Sequence, residues 1–123
     1  MANEITATLN VRCVNGAFSE SFAPAADRID QAVIGMDGHI QSIGTSEEVV
    51  TVATDVATLG VAAFHNVDGT NYVDIGPESG GALVGFVRLK AGEFGFMRLK
   101  PGITIRAQAN TAAVKLKIWI LND

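Results

Sequence analysis

"GITIRAQANTAAVKLKIWIL", residues 102–121, alternates twice. In the first run Ile103, Ile105, Ala107 and Ala109 stand against Thr104, Arg106 and Gln108, and in the second Val114, Leu116, Ile118 and Ile120 stand against Lys115, Lys117, Trp119 and Leu121. A period of two sends alternate side chains to opposite faces of an extended chain, so both runs read as strands with one face in a core. "EITATLNVRCV" (4–14) has the same period, with Ile5, Ala7, Leu9, Val11 and Cys13 on one side. Cys13 therefore reads as a small buried hydrophobe; as a lone cysteine it can form no internal disulfide.

Working outward, turn signals fall at "NG" (15–16), "APAAD" (23–27), "MDG" (36–38), "DGTN" (68–71), "GPESGG" (76–81), "KAG" (90–92) and "KPG" (100–102). Their close spacing suits a sandwich or small barrel. No segment carries a sustained helical stripe. "SEEVVTVATDVATL" (46–59) opens on a possible helix cap at Ser46, but its valines and threonines favour strand. The chain has 123 residues, of which 48% are hydrophobic and 18% charged, with 13 glycines, so it is expected to form one compact, turn-rich domain over 1–123. The expectation is an all-β protein, a single antiparallel β-sandwich of jelly-roll type with nine or ten short strands.

"FVRLKAGEFGFMRLKPG" (86–102) repeats Phe-x-Arg-Leu-Lys-x-Gly after ten residues. The period fits a strand followed by a glycine-bearing turn. Alternation then puts Val87, Leu89, Met97 and Leu99 on one face, and Phe86, Arg88, Lys90, Phe94, Phe96, Arg98 and Lys100 on the other. A solvated face has little use for phenylalanines, whereas protein interfaces favour aromatics beside arginine. Trp119 and Leu121 likewise share a face with Lys115 and Lys117; Trp119 suits either an interface or a place under a loop of its own chain. The candidate interface, to another subunit or to a larger assembly, is thus Phe86, Arg88, Phe96, Arg98, Arg106, Lys115, Lys117 and Trp119.

Charge is divided along the chain. Residues 1–82 hold two basic and eleven acidic side chains, net −9, while residues 83–123 hold seven basic and two acidic, net +5. Such a chain is suited to docking head to tail with its own copies or to setting its basic part on an acidic surface. A net charge of −4 without a dense Lys/Arg cluster argues against nucleic acid as a partner. The segment "VVTVATDVATLGVAAF" is broken by Asp55 and Gly60, so no transmembrane helix is expected, and the first residues carry neither the basic region nor the apolar run of a signal peptide.

Chemistry-bearing motifs are sparse. His39 and His65 lack metal-ligand spacing. "GTSEE" (44–48) puts Ser46 beside two carboxylates, but without a nucleophile elbow it reads as a turn. "NVDGTNYVD" offers the oxygens of Asn66, Asp68, Asn71 and Asp74 for calcium, at spacings that do not match an EF-hand loop. No nucleophile, base and oxyanion donor can be assembled, so neither an enzyme nor a cofactor is expected.

The order "IDQAVIGMDGHIQSIGTSEEVV", "ATLGVAAFHNVDGTNYVDIG" and "FVRLKAGEFGFMRLKPGITIRAQANTAAVKLKIWILND" resembles a group of short virion structural proteins of tailed bacteriophages. The resemblance covers most of the chain and rests on turn and strand signatures: "IGTSEE", "NVDGTNYVDIG", "LKAGE" and "NTAAVKL". It implies a place in a phage particle, made in the bacterial cytoplasm, as head decoration or cement, a fibre head or a tail component, and it carries over no functional residue. The expected function is a capsid decoration protein, a homo-oligomer that binds the major capsid protein or other virion proteins and stabilises the head. A tail or fibre component, or a carbohydrate-binding module on the same fold, is the alternative; the single Trp and single Tyr weigh against the last.

Overall fold

A computed structural model of the chain describes residues 3–123. The described residues contain no helix, and they divide into two compact units, residues 3–32 and 33–123, where the sequence reading has one domain over 1–123.

The larger unit is the sandwich. Its strands are β5 (Met36–Ile43), β6 (Glu48–Val49), β7 (Leu59–Asn66), β8 (Val73–Ser79), β9 (Ala82–Leu83), β10 (Val87–Leu89), β11 (Phe94–Arg98), β12 (Ile105–Ala109) and β13 (Val114–Asn122). Apart from β9, which only extends a hairpin from β8, these strands pair first with last and inward from there: β5 with β13, β6 with β12, β7 with β11, β8 with β10. All pairings are antiparallel. The additional pairs β7–β13 and β8–β12 join them into one sheet of order β11-β7-β13-β5 and another of order β10-β8-β12-β6. One long antiparallel ribbon rolled onto itself in this way is a jelly roll, as the sequence pattern predicts.

The two opening alternations become the two central strands. Val114, Leu116, Ile118 and Ile120 of β13 face Ile105, Ala107 and Ala109 of β12 in a core completed by Phe64, Ile75, Leu89 and their neighbours. The small alanines of β12 let the two layers approach; the isoleucines of β13 fill the space. The Phe-x-Arg-Leu-Lys-x-Gly repeat closes this core from its edge, with Val87, Leu89, Met97 and Leu99 inward as alternation requires. Both copies end in a turn whose glycine, Gly92 (φ 79°) or Gly102 (φ 78°), holds the left-handed conformation that follows Ala or Pro in a type II turn.

β5 reverses the usual polarity. Its apolar Met36 and Ile40 point outward, while Asp37, His39 and Gln41 take the inward positions opposite Ile120, Ile118 and Leu116. These polar side chains replace a neighbouring strand at the sheet's edge. The Asp37 carboxylate accepts the Ala53 N–H (2.7 Å) and is hydrogen-bonded to His39 Nδ1 (2.8 Å), and Gln41 accepts the Thr51 N–H (2.9 Å) while donating to the Val49 carbonyl (3.0 Å). They therefore hold residues 50–53, just after β6, as a loop. This explains why "SEEVVTVATDVATL" contributes only the two-residue β6 in place of a long strand.

The smaller unit contains β1 (Ile5–Ala7) paired with β4 (Asp27–Ile29), and a hairpin of β2 (Val11–Asn15) with β3 (Phe18–Phe22) that turns on Gly16. The single strand suggested by "EITATLNVRCV" is thus two short ones. Cys13 is exposed, which corrects the expectation of burial: the hairpin has two strands and no second layer within its unit to cover that face. Short ladders such as these raise the number of strands among the described residues to thirteen, from the expected nine or ten.

Candidate interaction surface

The register of the four-stranded sheet sets outward side chains in rows across it. One row runs Phe94, His65, Lys117, Ile40; the next runs Phe96, Ala63, Trp119, Gly38. Phe94 is 75% exposed, Ile40 58% and Phe96 46%, and Met36 adds a further apolar side chain at the sheet's edge. Gly38 is the reason the second row lies low: a Cβ there would stand 3.4 Å from both the Trp119 ring and the Met36 methyl, so its absence gives the indole room beside the edge strand. The His65 ring stands edge-on to Phe94, with centroids 6.1 Å apart, and its Nε2 lies 3.2 Å from the Gly92 carbonyl.

The cations on this face are unequal. Arg98 is spoken for by Asp123 (2.6 Å). Lys115 and Lys117 form no ion pair among the described residues, and both are exposed. A sheet face that combines accessible aromatics with unneutralised lysines has the chemistry of a protein contact, the aromatics supplying buried area and the lysines orientation.

The five-stranded sheet presents a different surface. Arg88 binds Asp74 through two nitrogens (2.7 and 2.9 Å) and stacks over Tyr72 at 3.9 Å from the ring centre. The Asp74 carboxylate, first by hydrogen bond and then by charge, raises the guanidinium pKa above its ordinary value. Arg106 pairs with Glu78 (3.1 Å), and Gln108 donates to the Thr45 carbonyl (2.7 Å). This face neutralises itself.

The eight residues singled out from the sequence therefore separate. Phe96, Arg98, Lys115, Lys117 and Trp119 share the outer face of the four-stranded sheet; Arg88 and Arg106 lie on the opposite sheet in internal ion pairs. Phe86, 86% exposed, precedes β10 and stands at the mouth of a cleft of about 310 Å³ between the sheet edges, floored by Ile75, Met97, Leu99 and Ile103. A ten-residue repeat suggested one continuous face, but the turn at 90–93 carries the chain from one sheet to the other. Sequence reasoning missed Met36, Ile40 and His65. The signal for the first two was present in "MDGHIQSI", where the inverted alternation of an edge strand leaves apolar residues outside.

Other sequence candidates have structural employment. Glu48 accepts the Gly44 N–H (3.0 Å) across the "GTSEE" turn, and Glu47 accepts the Leu83 N–H (2.7 Å). In "NVDGTNYVD", Asp68 accepts the N–H groups of Asn71 (2.6 Å) and Thr70 (2.9 Å), Asn71 accepts from the Thr111 hydroxyl (2.7 Å), and Asp74 holds Arg88. No cluster of three or more metal-ligating side chains occurs among the described residues.

The backbone hydrogen bonds from Asn71 and then Thr70 hold the Asp68 carboxyl below its ordinary pKa. A carboxylate depressed in the folded state stabilises the loop above its unfolded value, about 3.9, and loses that contribution as pH falls through the folded one. Titration followed by NMR should show the Thr70 and Asn71 amide shifts moving together with the Asp68 carboxyl, at a midpoint below that of an ordinary aspartate. A midpoint at or above the ordinary value would contradict the capped loop.

No family model matches the chain, and no curated protein or solved structure matches it.

Proposed function

We propose that the chain is a structural subunit of a tailed-bacteriophage particle, a capsid decoration protein that self-associates and binds the assembled head through the outer face of its four-stranded sheet. The observation that carries this reading is that face: Phe94 and Ile40 are exposed in one row with Lys117, and Phe96 in the next row with Trp119, with Lys115 and Lys117 without acidic partners among the described residues. The resemblance of its turn and strand motifs to virion proteins of tailed bacteriophages is the reason for proposing a virion as the setting of the contact. A jelly roll suits the role, since it is an architecture used by viral capsid domains, although it serves lectins as well. The mechanism would be a modest contact repeated over many symmetric copies, so that summed avidity stabilises the shell.

The test combines assembly with location. Phe96→Asp is expected to weaken self-association and co-sedimentation with phage heads at least about tenfold, while thermal unfolding changes little because the residue is half exposed. Equal binding by the variant and the parent would remove the face from the reading. Antibody labelling of intact particles should spread over the head; label confined to the tail would move the same face to ring or fibre packing, and absence of label would reject the virion role.

A further inference from the structure

We infer that the β2–β3 hairpin of one copy lies across the outward face of the four-stranded sheet of a second copy, making self-association head to tail. This rests on the reading of the protein as a self-assembling subunit and specifies the partner of its face.

The hairpin needs an occupant opposite it. Among the described residues of 3–32 none is buried, although Val11, Val14, Phe18 and Phe22 are large and apolar. A two-stranded ribbon is marginal in water without a layer to pack on, and a segment of this size sustains no core of its own. In the hairpin's register Val11 pairs with Phe22, Cys13 with Glu20 and Asn15 with Phe18, so these residues share one face. Glu20 lies at its centre, between two phenylalanines, with no ion pair among the described residues.

The four-stranded sheet offers the complement. Lys117, without an acidic partner, lies in a row with Phe94 and Ile40 and next to the row of Phe96 and Trp119. One surface is aromatic, acid, aromatic; the other is aromatic with a lysine among its rings. Both repeat every second residue along a strand, a step of about 7 Å, so they can pack as two sheet layers. Covering either surface with an apolar partner would strand a charge, whereas covering each with the other pairs Glu20 with Lys117. Charge supports the same match: residues 1–32 carry four acidic and two basic side chains, against unneutralised Lys115 and Lys117 on the sheet. Because the two surfaces differ, the contact is heterologous: it closes as a ring of copies, of which a reciprocal exchange between two is the smallest, or continues as a filament.

The experiment is sedimentation velocity on the full chain with Glu20→Lys, Lys117→Glu, an equimolar mixture of the two, and the double variant in one chain. Both positions are exposed, so unfolding curves should be unchanged. Each single variant is expected to associate at least about tenfold more weakly, and both the mixture and the double variant should recover, because reversed charges meet across copies. Parental association in both single variants would overturn the hairpin contact and leave self-assembly through another part of the face standing. Recovery in the double variant without recovery in the mixture would overturn exchange between copies. A parent chain that stays monomeric at every concentration would overturn self-assembly itself.

Discussion

Replacing Asn66 by alanine is expected to cost the sandwich about 3 kcal/mol, on the order of 15 °C in its unfolding midpoint, although the residue lies at the end of β7 and adds nothing to the apolar core. Asn66 is fully buried. Its amide donates to the carbonyls of Asn71 (2.8 Å) and Leu89 (3.0 Å), and its side-chain oxygen accepts the Asp68 N–H (3.0 Å). Its own backbone receives the Gly92 N–H and donates to the Glu93 carbonyl. One side chain thus ties the "NVDGTN" turn to the "LKAGE" turn, and alanine would leave buried carbonyls without donors. Asn66→Asp separates shape from hydrogen bonding. It preserves volume but sets a carboxylate against two carbonyls, so its loss in calorimetry should equal or exceed that of alanine; a smaller loss would assign the effect to packing.

Ile118→Ala is expected to destabilise the sandwich by about 2–5 kcal/mol, against a native stability on the order of 5–15 kcal/mol for a typical domain. Ile118 is fully buried at the centre of β13, between Phe64 of β7 and His39 of β5, and neither layer can close over the space its side chain leaves. Its neighbour Lys117 points the other way. Lys117→Ala should therefore shift the urea midpoint by no more than about 0.5 kcal/mol in stability. Similar losses at the two positions would mean that β13 does not present opposite faces to core and exterior.

The fold was legible where one layer covers one strand face. Ile105–Ala109 of β12 and Val114–Ile120 of β13 bury alternate residues and leave those between at least partly exposed, so the period of two carries over from sequence to sheet until the bulge at the end of β13, where Leu121, expected outside beside Trp119, is buried as well. It was misleading where no second layer exists: "EITATLNVRCV" has the same alternation, yet Cys13 and Val11 are exposed because the hairpin has no layer over it within its unit. The surface was half legible for a related reason. Alternation correctly turned Arg88, Phe96 and Arg98 away from the core, but it says nothing about which sheet a strand joins. That depends on pairings between residues far apart in sequence, such as β7 with β11 and β8 with β10. Ion pairs are equally non-local: nothing near Arg106 in sequence announces that Glu78 neutralises it.

The nested pairing of first strand with last also sets a timetable for synthesis. The innermost pair, β8 with β10, requires only residues 73–89, whereas β5 at 36–43 waits for β13 at 114–122. Closing progressively longer loops costs entropy before the core returns it, which makes such a topology slow to fold compared with local hairpins. On a ribosome adding about 5–20 residues per second, the sheet bearing Phe96 and Trp119 cannot be complete until the last of its strands has been made. A chain whose β13 has not yet been made therefore lacks the row that carries Lys117 and the row that carries Trp119, and the outer face of the four-stranded sheet exists only once that strand is in place.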